Sequence, residues 1–136
     1  MRQKRPDRTL GGVHDEFWTW CEAGELRIQR CQACAELFWP PRQTCEHCGG
    51  GRFAWELMSG EGKVASWCSF EYDYYKGLLP LPYDTILVEL EEGVLFISDP
   101  KGFGWRDIEP QTPVSLAFLD CEDSAGPFRL PVFEKA

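Results

Sequence analysis

The sequence has 136 residues, 43% hydrophobic and 26% charged, which is the profile of a folded soluble chain forming one ordinary domain or two small ones sharing a core. No apolar run reaches the ~20 residues of a membrane span, and the basic start Met1-Arg2-Gln3-Lys4-Arg5-Pro6 has no apolar stretch behind it, so membrane and secretory classes are disfavoured and the cytoplasm is expected. The net charge of −8 is uneven: residues 1–52 carry 8 basic and 7 acidic side chains, whereas residues 53–136 carry 6 and 15, a balance that repels nucleic-acid phosphates.

Residues 1–12 read as a flexible basic arm ending in Gly11-Gly12. A short helix is predicted over 13–23. Leu10, Val13, Phe17, Trp20 and Cys21 recur at helical spacing, and Gly24 sits where a helix stop belongs. Its apolar face is expected to dock on the body of the chain. Leu26 to Arg30 alternates as a strand, Leu37-Phe38-Trp39 runs into Pro40-Pro41, and Phe53, Trp55 and Leu57 alternate again.

From Ser59 the texture is all-β, with candidate strands at 62–70, 83–90, 94–99, 113–119 and 128–133. Glu91-Glu92-Gly93 forms a hairpin turn, and Pro100 to Thr112 is a longer irregular link. Five short strands with one long link after the third predict a small Greek-key barrel of the OB type, with an SH3-like barrel as the competing architecture. The expected chain is mainly β: an arm and helix over 1–24, a cysteine ribbon over 25–58 and a five-stranded OB-fold barrel over 59–136.

Seven cysteines, an odd number with no secretion signal, argue against a disulfide framework. Cys31 and Cys34 form one C-x2-C pair, Cys45 and Cys48 a second, with ten residues between the pairs. A two-residue gap lets both thiolates of a pair face one ion, and two such knuckles on neighbouring hairpins complete a tetrahedron. Zinc is favoured, although a rubredoxin-like iron site uses the same ligands. With four protein ligands no position stays open for substrate, so the metal is expected to be structural. His47 reads as a solvent-facing knuckle residue rather than a fifth candidate.

No catalytic residue is assigned. His14 falls on the polar side of the helix, Cys68 reads as buried packing within a strand, and Asp120, Glu122 and Asp123 around Cys121 blunt its reactivity. No Ser-His-Asp set, phosphate loop or H-E-x-x-H pattern is present. The segment from Phe70 to Tyr83 carries Tyr72, Tyr74, Tyr75, Leu78 and Leu79 between few charges. In an OB barrel this connection is a ligand-binding loop; the alternative is a lid over the barrel's own core.

The order of a helix, Gly24-Glu25-Leu26, Cys31 and Cys34, Pro40-Pro41, Cys45 and Cys48, a barrel opening from Gly60 to Val64, Pro82-Tyr83, Val88-Glu89-Leu90, Gly93 and Leu130-Pro131-Val132-Phe133 resembles the acyl-CoA-associated OB-fold family with an N-terminal rubredoxin-like zinc ribbon. The resemblance runs from about Phe17 to Phe133, and the stretch from Phe17-Trp18 to Cys34 is most similar to members from bacterial steroid side-chain degradation. It implies a non-catalytic subunit in a hetero-oligomer with a thiolase-fold protein, which itself performs a retro-aldol cleavage of a hydroxyacyl-CoA. It makes Phe17, Trp18, Tyr72, Tyr74, Tyr75, Leu78 and Leu79 candidates for partner or acyl contact.

One departure from the family pattern is Ile108-Glu109-Pro110-Gln111-Thr112-Pro113-Val114, stiffer than the usual glycine-containing turn. The acidic barrel is also a poor host for coenzyme A phosphates, so Arg27, Arg30, Arg42 and Arg52 on the ribbon are the candidates there, against the plainer reading of each as a solubilising charge. Two other functions compete: a nucleic-acid-binding module, opposed by charge, and a rubredoxin-like electron carrier, distinguished by colour.

Overall fold

A computed structural model describes residues 2–136; Met1, the first residue of the expected arm, lies outside the described residues. In chain order the elements are β1 (Gln3–Lys4), α1 (Val13–Glu22), β2 (Arg27–Cys31), β3 (Leu37–Phe38), β4 (Phe53–Leu57), β5 (Glu61–Phe70), β6 (Tyr83–Leu90), β7 (Leu95–Ser98), a 3-10 turn at Trp105–Asp107, β8 (Pro113–Asp123) and β9 (Gly126–Lys135). A three-stranded antiparallel sheet ordered β3-β2-β4 forms the ribbon, and a six-stranded sheet ordered β1-β8-β5-β6-β7, with β9 on β8, forms the rest.

Helix α1 buries Phe17 and Cys21 and packs on β9 and β2, so it docks on its own chain as its apolar spacing predicts. Gly24, at φ +81°, ends it in the left-handed region that glycine adopts without a Cβ penalty. Ribbon residues Leu26, Ile28 and Met58 share one core with Val64, Ile86, Val88, Phe96 and Phe133 of the larger sheet. Burial of these side chains therefore holds the ribbon and the sheet together.

The expected five-stranded barrel does not form: the larger sheet is open. β9 pairs along ten residues with β8, from Asp123↔Gly126 to Val114↔Lys135, and has no ladder with β7 on its other side. The two approach through one isolated bridge, Pro100↔Phe133, flanked by Phe133 N–H donating to Asp99 O (3.1 Å) and Lys101 N–H donating to Phe133 O (2.7 Å). The reason is local: β7 is only four residues long, and the chain leaves it through Asp99-Pro100, where proline offers no N–H to extend a ladder. A sixth strand also joins the sheet, because β1 lies parallel on the β8 edge (Gln3↔Cys121, Lys4↔Glu122).

The basic arm, expected to be flexible, is strapped down. Arg5 N–H donates to Glu122 O (3.0 Å), and its guanidinium meets Asp99 at 2.7 Å. Arg8 donates to Asp123 through its backbone N–H (3.0 Å), Nε (2.7 Å) and Nη2 (3.2 Å), while its guanidinium lies 4.2 Å over the Phe128 ring. The β8–β9 hairpin turns through Ser124-Ala125, and Ser124 N–H donates to Asp7 Oδ1 (3.0 Å).

Gly60 and Gly62 let β5 pass tightly through the sheet. A Cβ on Gly60 would sit 3.1 Å from Leu116 Cβ; one on Gly62 would sit 2.7 Å from Val88 Cγ1 and 2.8 Å from Glu89 O. Close backbone approach of this kind is what a strand glycine permits. Two residues later β5 bulges between Val64 and Ser66. There Val64 N–H donates to Thr112 O (2.9 Å) and Gln111 N–H to Val64 O (3.0 Å), so the link after the 3-10 turn satisfies the bulge.

Candidate metal centre

Strand β2 ends at Cys31, and the turn to β3 places Cys34; the loop before β4 returns Cys45 and Cys48 to the same point. All four Sγ atoms lie within 4.8 Å of one another, with Cys31–Cys48 at 3.5 Å and Cys34–Cys45 at 3.7 Å. A tetrahedral ion with metal–sulfur bonds near 2.3 Å needs sulfurs about 3.8 Å apart, so the set fits zinc. Among the described residues this is the one cluster of three or more candidate ligands.

Backbone amides support the thiolates. Ala33 N–H (3.4 Å) and Cys34 N–H (3.5 Å) donate to Cys31 Sγ, and His47 N–H (3.3 Å) donates to Cys45 Sγ. The Cys34 amide is the largest influence that draws the Cys31 thiol down, whereas neighbouring sulfurs of the cluster push the Cys34 and Cys48 thiols up. Gly50 packs against the site: a Cβ there would stand 3.3 Å from Ala33 Cβ and 3.4 Å from both Cys31 and Cys48 Sγ. Gln29, 1% exposed, braces the loop between the pairs by donating from Nε2 to Arg42 O (2.7 Å) and accepting from Arg42 N–H at Oε1 (2.9 Å). Sequence pattern alone does not mark Gln29, because a glutamine in an alternating strand ordinarily faces water.

The other sequence candidates are dispersed. Arg27 pairs with Glu25 at 2.7 Å and stacks 4.3 Å over Trp20, while Arg30 is held by both oxygens of Glu56 at 2.8 Å. Arg42 reaches Glu46 at 3.9 Å, and Arg52 is exposed beside Gln32, Gly50 and Gly51. Phe17 is buried against Trp55 and Phe96, and Trp18 is half-buried with its indole N–H on Thr9 O (3.3 Å). Tyr72, Tyr74, Tyr75 and Leu78 are exposed on the long loop, whereas Leu79 is buried. His47 is exposed and His14 half-buried.

One cysteine differs from expectation, and another agrees with it for a further reason. Cys68 is exposed, because the β5 bulge turns it to the outer face of the sheet. Cys121 is buried; burial, more than its acidic neighbours, pushes its thiol up. Cys21 is pushed up to about 12 for the same reason.

Residues 18–54 match the family described as ChsH2, rubredoxin-like zinc ribbon domain. With the sulfur geometry, this makes the cluster a structural Zn2+ site. A probable enoyl-CoA hydratase alpha subunit of Thermomonospora curvata is 35% identical over 122 residues, covering 86% of this chain and 36% of that protein. A DUF35 domain-containing scaffold protein of Pyrococcus furiosus is 32% identical over 80 residues, 55% of this chain and 52% of that one. The chain thus spans about a third to a half of the length of these curated relatives.

Among solved structures, the Ltp2-ChsH2(DUF35) aldolase superposes with a TM-score of 0.81 at 29% identity, covering 95% of this chain and 98% of that one. A DUF35-family protein of unknown function from Sulfolobus solfataricus, at TM-score 0.59, 17% identity and 78% coverage of each chain, shares the fold. Among the described residues, no helix is long and apolar enough to cross a membrane.

Proposed function

Because this chain belongs to the ChsH2-type (DUF35) zinc-ribbon family, we propose that it is a non-catalytic partner subunit of a thiolase-superfamily enzyme acting on acyl-coenzyme A. The observation that carries the reading is the likeness, over 95% of the chain, to the Ltp2-ChsH2(DUF35) aldolase. A metal centre saturated by four thiolates supports it, since zinc there holds the ribbon fold and has no position for substrate. The reaction we assign to the complex is retro-aldol cleavage of a steroid side-chain hydroxyacyl-CoA, in the cytoplasm, with the reacting groups on the thiolase-fold partner.

Within that role Arg52 is the best candidate for coenzyme A phosphates, followed by Arg42, whose pairing with Glu46 is long at 3.9 Å, because Arg27 and Arg30 are tightly engaged by carboxylates. Tyr72, Tyr74, Tyr75 and Leu78 are the candidates for partner or acyl contact, with Leu79 anchoring their loop from below. The test is affinity capture of the tagged chain from its native extract, with mass spectrometry of what remains bound. Near-stoichiometric recovery of a thiolase-fold protein, and cleavage of hydroxyacyl-CoA by the recovered complex, is the expected result. Recovery of the chain alone or with nucleic acid would remove this reading.

A further inference from the structure

One face of the larger sheet breaks the rule that an antiparallel sheet turns apolar residues to the core and polar ones to water. The cross-strand register puts Lys63, Glu89 and Leu95 in one outward row and Ser66, Leu87 and Ile97 in the next. Cys68 faces Thr85, and Phe70 then stacks on Tyr83 with ring centroids 4.8 Å apart. Tyr75 follows at 6.2 Å from Tyr83. Leu95 is 48% and Ile97 56% exposed, and both lie on β7, an end strand of the sheet. A shallow depression of about 220 Å3 lies between Ser66, Cys68, Thr85, Leu87 and Ile97.

Apolar side chains therefore recur along this face from the β6–β7 hairpin to the tyrosine loop, with Ser66, Thr85 and the Lys63–Glu89 pair between them. Exposed apolar side chains gathered on one face and rimmed by charge are characteristic of a protein interface. Its rim is acidic: Glu89, Glu91 and Glu92 at the hairpin end and Glu71 and Asp73 at the loop end outnumber Lys63 and Lys76, and Lys63 is already 3.7 Å from Glu89. A second copy would set one acidic rim against another within a chain of net charge −8, and an anionic lipid surface would be repelled in the same way. A partner with an apolar centre and a basic rim is complementary.

We infer that the outer face of β5–β6–β7, centred on Leu87, Leu95 and Ile97, is the surface on which the thiolase-fold partner docks, with an apolar side chain of the partner seated in the depression beside Ile97. This inference rests on the partner-subunit reading above. It places the centre of the interface on the sheet face next to the tyrosine loop, and it leaves Phe17, which is buried, out of it.

The experiment compares capture by the wild-type chain with capture by Leu95→Lys/Ile97→Lys and by the milder Ile97→Ser. All are checked for bound zinc and thermal melting, and the wild type is also examined by sedimentation. Both side chains point to solvent, so folding is expected to survive. The expected result is a thiolase-fold protein recovered with the wild type, at least tenfold less with the lysine pair, an intermediate loss with Ile97→Ser, and weaker wild-type capture as salt rises.

Equal recovery by wild type and both variants would overturn the assigned surface and leave the partner role standing. A wild-type dimer abolished by the lysine pair would seat a second copy there and overturn the inference. Failure of the wild type to recover any thiolase-fold protein would remove both the role and the surface.

Discussion

Replacing Asp123 with Asn probes the contact that fastens the N-terminal arm to the sheet. The Asp123 side chain is 1% exposed and that of Arg8 12%, in residues that are half-buried overall, and the hydrogen-bonded guanidinium holds the carboxyl down to about 2, from 3.8 for the unperturbed group. A depressed carboxylate stabilises the fold fully above its unfolded value near 4, and that contribution drains away as the pH falls from about 4 to about 2. At pH 7 the difference corresponds to about 2 kcal/mol, reduced to about 1–2 kcal/mol because the pair lies at the protein edge within reach of solvent.

For a chain of this length that is a fall in melting temperature of roughly 3–10 °C. Acid also protonates thiolates and releases zinc, so the measurement belongs at pH 7 with zinc bound. The assay is a double-mutant cycle of Asp123→Asn and Arg8→Met by urea unfolding, which separates the pair from the stacking of Arg8 on Phe128. Faster amide exchange at Arg5 and Arg8, whose N–H groups donate to Glu122 and Asp123, should accompany the loss. A coupling energy within about 0.3 kcal/mol of zero, with arm amides still protected, would refute the view that this ion pair holds the arm.

Gly62→Ala is expected to destabilise by at least about 2 kcal/mol, because the added methyl meets Val88 and the Glu89 carbonyl rather than open space; an unchanged denaturation midpoint would contradict the close crossing. Gln29→Leu strands the Arg42 N–H and C=O at a cost of about 1–3 kcal/mol and should speed zinc release to a chromogenic chelator, whereas an unaltered release rate would show that the brace is idle. In the zinc-loaded native protein a neutral thiol reagent should titrate Cys68 rapidly and reach buried Cys21 and Cys121 only on unfolding; mass mapping that finds either labelled first would invert the assignment.

Much of this protein is local, and local order is readable from sequence. The C-x2-C pairs specify a zinc knuckle because two thiolates so spaced can face only one ion, and the helix, the ribbon strands and the hairpin at Glu91-Glu92-Gly93 follow from periodicity and turn chemistry. What the sequence left undecided depends on contacts between distant segments. Whether β7 closes on β9, whether the arm adds a strand beside Cys121, and which way Cys68 faces depend on a four-residue strand ending at a proline, on Arg8 meeting Asp123 across 115 residues, and on a one-residue bulge. A bulge moves side chains from one face of a sheet to the other without altering composition, and an ion pair of that separation has no periodic signature. The tertiary structure alone therefore decided that the sheet stays open and that its apolar outer face, Leu87, Leu95 and Ile97, remains uncovered, since both depend on which strands become neighbours.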